Sequence, residues 1–215
     1  MTLNAARTLA LTWRRTMLPF CHVCAVAGSV RREKPEVRDL EIVAVPRWYR
    51  RAVPARPEAG EERINALYEA MIRHAAAGAI RWIKPATSEI HDWPLKPDGK
   101  YWRGLLPTGV KLDLFLASRG NFGLIMLIRT GSAAFSKTAM VGARRIGRVV
   151  AGGHVYAVTH DPAEGAVTSE GAIGDEIPTP TEEAAFRALG IVWVEPRDRT
   201  DGRAIRPIPL VSGRV

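Results

Sequence analysis

Residues 23–46 read VCAVAGSVRREKPEVRDLEIVAVP. An apolar run enters a tight Gly28-Ser29 turn, the basic pair Arg31-Arg32 and a short polar link follow, and a second apolar run opens at Asp39. Along an extended strand successive side chains point to opposite faces, so Asp39 and Glu41 share one face while Leu40 and Ile42 share the other. Two carboxylates side by side on an apolar strand repel each other and lose hydration unless a cation sits between them. A bare D-x-E is more often a pair of surface acids on an edge strand. The basic turn just upstream favours the other reading, because it supplies what a polyphosphate, the usual companion of such a cation, requires.

The chain of 215 residues is 47% hydrophobic, enough core for one compact domain or two small lobes. Its formal net charge is +9 and its pI about 10.1. So basic a chain most often meets a polyanion. No apolar run approaches the roughly 20 residues that span a bilayer, which excludes membrane insertion. The first twenty residues carry arginines and no acids, as a transit peptide does. A folded helix fits better, because Leu9, Trp13 and Met17 recur at helical spacing and the segment runs straight into the first strand. The two cysteines, Cys21 and Cys24, lie at the start of that strand, where this spacing points them to opposite faces. Without a second ligand pair they read as reduced structural thiols in a reducing, cytoplasmic compartment.

Downstream, 47–57 reads as a proline- and arginine-rich surface loop, and 58–77 as a helix carrying Ile64, Leu67, Tyr68, Met71 and Ile72 and ended by Gly78. A short strand is expected over 79–83, an irregular polar stretch over 87–98, and a hairpin of 100–105 with 109–117 around Pro107-Thr108-Gly109. In the second hairpin strand Lys111, Asp113 and Phe115 share a face, so Asp113 is a third acid for the Asp39/Glu41 pair. A strand is expected over 124–129, ending in Thr130-Gly131-Ser132, then a helix over 133–147 that buries Phe135 and Met140. Lys137, Arg144, Arg145 and Arg148 make this region basic, which fits a solvated face and nucleic-acid contact equally. Strands of a small sheet over 153–160 and 165–177 follow. Thr179-Pro180-Thr181-Glu182 reads as a capping box with proline at the first helical position, for a helix stopping at Gly190. A last strand is expected over 191–194, and the rest is a basic tail without periodicity.

Three carboxylates with a phosphate grip have a definite chemistry. Mg²⁺ takes oxygen ligands, usually a few carboxylates plus substrate phosphates. Two such ions, Mg²⁺ or Mn²⁺, activate an attacking hydroxyl and neutralise a leaving pyrophosphate. Asp39 and Glu41 at i, i+2 suit a bridge between two ions, with Asp113 completing the ion on the attacking oxygen. Gly28 and Ser29 let a backbone N–H and a hydroxyl approach phosphate, and Arg32 offers a bidentate fork.

The Gly28-Ser29 turn, the basic pair and Asp39-Leu40-Glu41 resemble the signature of the nucleotidyltransferase superfamily. Lys111-Leu112-Asp113-Leu114, Thr130-Gly131-Ser132-Ala133-Ala134-Phe135 and the ending from Leu189-Gly190-Ile191 to Glu195-Pro196-Arg197-Asp198-Arg199 narrow it. In this order they resemble family X DNA polymerases, over roughly residues 5–200, and most of all the minimal two-domain viral members. The resemblance implies an α+β fold: a palm over 1–125 with a mixed sheet and helices on one side, a small α+β nucleotide- and DNA-contacting domain over 126–200, and a basic tail over 201–215. It implies a monomeric polymerase that adds deoxynucleotides to a primer in gapped or primer-template DNA, filling short gaps, in a prokaryotic or viral-type setting.

By the same resemblance Asp39, Glu41 and Asp113 hold the metals. Gly28, Ser29, Arg32 and Arg38 serve the triphosphate, and Arg129, Thr130, Gly131, Ser132, Ala133 and Ser136 lie by the nucleotide, at a turn that in this family contains a cis peptide. Lys137, Met140, Arg144 and Arg145 face DNA. The sequence departs from the family where Glu41 replaces the usual aspartate and where Ile128-Arg129 replaces the aromatic pair that discriminates sugars. Ala133, Ser136 and Met140 lack the family's polar groups for reading bases. Arg38, usually glycine, is either a further phosphate contact or a solvent-facing side chain. No lyase domain or helix–hairpin–helix segment is recognisable, so abasic-site lyase activity is not expected and DNA binding should weaken steeply with salt. Two other readings remain: a nucleotidyltransferase with an RNA, protein or small-molecule acceptor, and a non-catalytic nucleic-acid-binding protein.

Overall fold

The computed structural model describes all residues except 53–59, 85–86, 88, 91–95, 159–172 and 210–215. Parts of the expected loop and helix around 53–59, of the irregular stretch and of the small-sheet strands, together with the end of the tail, therefore lie outside the described residues. The chain divides into two compact units, Met1–Ser118 and Arg119–Val215, ahead of the expected boundary at 125. The architecture is α+β, as the sequence leads one to expect.

The first unit is built on a mixed five-stranded sheet. Its strands are β1 (Cys21–Val26), β2 (Asp39–Pro46), β5 (Arg81–Trp82), β6 (Tyr101–Leu105) and β7 (Lys111–Leu116), in the order β1-β2-β7-β6-β5. Only β2 and β7 run parallel. Neither lies at an edge of the sheet, and the run Ile42–Val45 is buried throughout, the pattern of a strand covered on both faces. Leu40, Ile42, Leu112 and Leu114 form one core with Ala6, Ala10, Trp13 and Met17 of α1 (Leu3–Met17) and Leu67 and Met71 of α3 (Ala66–Ala76). The acids therefore stand on the face opposite these packed residues. Between β1 and β2 the chain makes one helical turn, α2 (Gly28–Arg31).

Several expectations are corrected. The stretch after Pro46 is an antiparallel hairpin, β3 (Trp48–Ala52) with β4 (Glu61–Asn65), rather than a loop running into a long helix. Its arginines hide the strand signal: Arg51 pairs across the ladder with Glu62 at 2.8 Å, and Arg63 lies 4.3 Å over the Trp48 ring. The helix starts only at Ala66, where the Asn65 side chain accepts the Tyr68 N–H. Cys21 and Cys24 do not point apart. One extra residue on β1 between Cys21 and Val23 bulges the strand, and both thiols, free, turn into the core.

In the second unit, residues 124–129 belong to a helix, α4 (Phe122–Thr130), rather than to a strand. A short continuous apolar run suits a buried strand or a buried helix alike. Leu124 and Leu127 enter the core, and Gly123 lies so close to Thr181 that an added Cβ would meet its carbonyl at 1.8 Å. The next helix, α5 (Ala133–Gly142), is shorter than expected and continues as a 3-10 turn to Ile146, with Gly147 left-handed. Phe135 is fully buried on it and Met140 only half-buried.

Strands β8 (Arg148–Ala151), β9 (His154–Val158) and β10 (Ile173–Ile177) form an antiparallel sheet in the order β10-β9-β8. Helix α6 (Glu182–Ala188) is capped by Thr181, whose Oγ accepts the Ala184 N–H, so Pro180 precedes the cap rather than following it. Residues 191–194 make no strand beyond a single bridge of Ile191 to Pro207. The expected tail is partly built in: Ala204 and Ile205 pack against the second core. No helix among the described residues is long and apolar enough to cross a membrane.

Candidate active site

The parallel pairing of β2 with β7 sets Glu41 directly beside Asp113 and Asp39 beside Lys111. The antiparallel pairing of β6 with β7 sets Arg103 on the other side of Asp113. One row of the sheet thus reads Glu41, Asp113, Arg103. Like charges across neighbouring strands destabilise a sheet unless cations offset them, and this row carries its own cation.

Asp113 is 2% exposed. Arg103 grips it bidentately, Nε to Oδ1 at 2.6 Å and Nη2 to Oδ2 at 2.7 Å, and the Tyr101 hydroxyl donates to Oδ1 at 2.8 Å. The hydrogen bond to Asp113 raises the Arg103 pKa above its usual value, with smaller help from Tyr101 and Asp39. Burial first, and then the Asp113 bond, push the Tyr101 phenol upward. Tyr101 stacks on Phe115, rings 4.9 Å apart, and this steadies the phenol.

The turn after β1 meets β2 from the other side. The Ala27 N–H donates to the Glu41 carbonyl at 2.8 Å. Gly28 has φ +62°, and a Cβ there would fall 1.9 Å from Glu41 Oε2, so the carboxylate occupies the space a side chain would take. Burial lowers the pKa of the Arg32 guanidinium, against the opposing pull of Glu41 and Asp39. Arg32 therefore lies in the field of both acids. Ser29 Oγ is buried and has no hydrogen-bond partner among the described residues. Buried hydroxyls are rarely left so, and an unmatched one points to a ligand or water. Arg38 is exposed.

The remaining residues singled out in the sequence lie in the second unit. Arg129 and Ala133 are exposed, and Thr130 is fully buried. Gly131 backs onto Phe135, with room for no Cβ, and no cis peptide bond occurs among the described residues, this turn included. Ser132 caps α5 by accepting the Phe135 N–H at 3.1 Å. Ser136 is buried and donates its hydroxyl to the Ile128 carbonyl at 2.8 Å. Lys137, Arg144 and Arg145 are exposed.

An all-oxygen set of carboxylates suits a hard divalent ion. Asp39 and Glu41 supply oxygens of that kind, and the unmatched Ser29 hydroxyl fits an accompanying phosphate. Asp113 fits only with one oxygen released by Arg103, and no grouping of acids, histidines and cysteines ready to hold a metal occurs among the described residues. Arg103 and Tyr101 were not anticipated, although the hairpin centred on Thr108 already aligns residue 103 with 113. Comparison with known proteins gives no matching family model and no significant match to a curated sequence.

Proposed function

We propose that the first unit is the catalytic platform of a nucleotidyltransferase, and that its reaction is that of a family X type DNA polymerase. In that reaction a deoxynucleoside triphosphate is added to a DNA primer 3′-hydroxyl with release of pyrophosphate. The observation that carries the reading is the row itself: Glu41 and Asp113 in register, Asp39 two residues away on the same face, and a glycine turn with a buried, unmatched serine hydroxyl against Glu41. Net charge +9 supports a polyanionic partner.

In this proposal Asp39, Glu41 and Asp113 would hold Mg²⁺ or Mn²⁺, which supplies charge neutralisation and a more acidic 3′-hydroxyl. Gly28 and Ser29 receive the triphosphate with a backbone N–H and a hydroxyl, and Arg32 balances its charge. Arg103 holds Asp113 in a fixed orientation through its two-bonded grip until an oxygen is needed elsewhere. The exposed Lys137, Arg144 and Arg145 supply salt-dependent backbone contacts to DNA.

A second reading, nucleotidyl transfer to an acceptor other than DNA, gains from Thr130 and Ser136. Their side chains are buried, and that of Ser136 is engaged by Ile128, so neither presents a hydroxyl to a nucleotide sugar. Primer extension on gapped DNA with Mg²⁺ and Mn²⁺, run beside labelling of RNA with ribonucleotides, separates the two. Extension by the wild type that is lost in Asp113→Ala supports the polymerase. Labelling of RNA alone moves the assignment to the second reading, and no transfer to any acceptor across metals and salts ends both.

A further inference from the structure

The second unit contains a cavity of about 370 Å³ whose lining includes Lys137 and Arg145, two of the cations proposed above to contact DNA. Val141, Ile146, Ile191 and Ile205 are among its lining residues, and two more, Gly190 and Gly202, leave space that a side chain would narrow. A Cβ at Gly190 would fall 2.5 Å from Ile146 Cδ1, and one at Gly202 would fall 2.4 Å from Thr138 Oγ1. The volume is that of a small-ligand site.

The apolar wall is open to solvent, with Val141 56% and Ile146 37% exposed. Exposed aliphatic side chains gathered in a concavity mark binding surface more often than chance. Lys137 and Arg145 also line the cavity. Lys137 precedes Val141 by four residues, which sets the two along one side of α5, and Arg145 follows in the 3-10 turn that continues the helix. Neither cation makes an ion pair among the described residues. Both are exposed, and long cationic side chains cover apolar surface with their stems while keeping the charged head in water.

We propose that this cavity binds a small amphipathic anion, an aliphatic body bearing a single carboxylate, with the chain against Val141, Ile146 and Ile205 and the carboxylate between Lys137 and Arg145. Charge complementarity selects the anion, and the scarcity of polar groups in the wall disfavours a nucleobase, whose donors and acceptors would go unmet. The site is independent of the acids of the first unit.

Calorimetric titration of the full chain with sodium decanoate, kept below its micelle concentration and compared with 1-decanol, tests this. Saturable one-site binding of decanoate is expected, with the alcohol about ten-fold weaker for want of the charge-assisted contacts. The double variant Lys137→Ala/Arg145→Ala should bind decanoate no better than decanol and leave decanol binding unchanged. Val141→Trp should block both, and it sits on exposed surface where folding is little affected. Should that variant lose its circular-dichroism spectrum, Gly142→Trp replaces it, because nothing lies within 4 Å of a Cβ at Gly142. Absence of saturable decanoate binding, equal affinity for decanol, or full binding by a folded cavity-filling variant each overturns the proposal. So does an acidic amphipathic peptide that binds where decanoate does not.

Discussion

Arg103 holds Asp113 with two nearly equal bonds, 2.6 and 2.7 Å, from the neighbouring strand of the hairpin. The pair is mostly out of water, the side chains being 21% and 3% exposed. Removing one partner of such a pair leaves the other charge uncompensated, so Arg103→Ala should cost about 3 kcal/mol of stability. Asp113→Asn keeps the shape and should cost less, yet lower nucleotidyl transfer about a hundred-fold or more by removing the charge. Urea unfolding beside a primer-extension assay checks both. An Arg103→Ala protein as stable as wild type would mean that the carboxylate is already matched elsewhere.

Gly28 and Glu41 share a single space. Alanine at Gly28 suffers a positive φ and also meets the Glu41 carboxylate. Gly28→Ala should therefore destabilise by about 1 kcal/mol or more, and should displace Glu41 from the row it forms with Asp113. A double-mutant cycle separates the two causes. In a Glu41→Ala background the collision disappears and only the backbone strain remains, so the two changes should be non-additive. Strict additivity would show that Glu41 yields without cost.

The β3–β4 hairpin is tied to α3 by a network that titrates. Glu69 accepts the Tyr49 hydroxyl at 2.6 Å and Arg51 Nη1 at 2.8 Å. The Tyr49 bond, followed by Arg51, holds the Glu69 carboxyl below the ordinary carboxylate range, and the same bond holds the Tyr49 phenol above its own. A depressed acid contributes stability above its unfolded pKa and loses it as pH falls through the folded value. The raised phenol contributes below its unfolded pKa and loses it as pH rises through the folded one. The contribution is therefore present near neutrality and fades at both ends, and solvent screening keeps it small. Carbon-detected NMR titration should find Glu69 protonating below the ordinary carboxylate range. Tyr49→Phe should move it back up, and an unmoved midpoint would assign the shift to Arg51 alone.

Much of the first unit is legible in the sequence because its strands alternate. Asp39, Glu41 and Asp113 fall on one side of their strands by period alone, and the Pro107-Thr108-Gly109 turn fixes the β6–β7 hairpin. The pairing of Glu41 with Asp113 is not legible, since a parallel ladder joins segments with no shared turn. The β3–β4 hairpin is missed because its cross-strand ion pairs put arginine and glutamate where strands usually carry β-branched residues. Helix α4 is misread as a strand because its run is apolar on nearly every side, which removes the periodicity that separates the two. The Cys21 and Cys24 faces fail for a single inserted residue, which no pattern of period two anticipates.

Arg199 lies where the sequence suggests a loose basic ending, yet it is fully buried. Its Nη1 donates to Glu182 at 2.5 Å and its Nε to the Val194 carbonyl at 2.8 Å. The guanidinium carbon lies 4.7 Å from the Phe186 ring centre and 4.8 Å from that of Trp193. The ion pair ties the segment after α6 to the first turn of that helix, and the rings replace the water the cation has lost. Arg199→Met should destabilise by about 3–5 kcal/mol through the carboxylate left behind in Glu182. Changing both residues, Glu182→Met with Arg199→Met, should cost less than the sum of the two single changes, because no charge is then left unmatched. Urea unfolding followed by tryptophan fluorescence reads each variant. Additive single changes would show that the rings, rather than the carboxylate, hold the arginine in place.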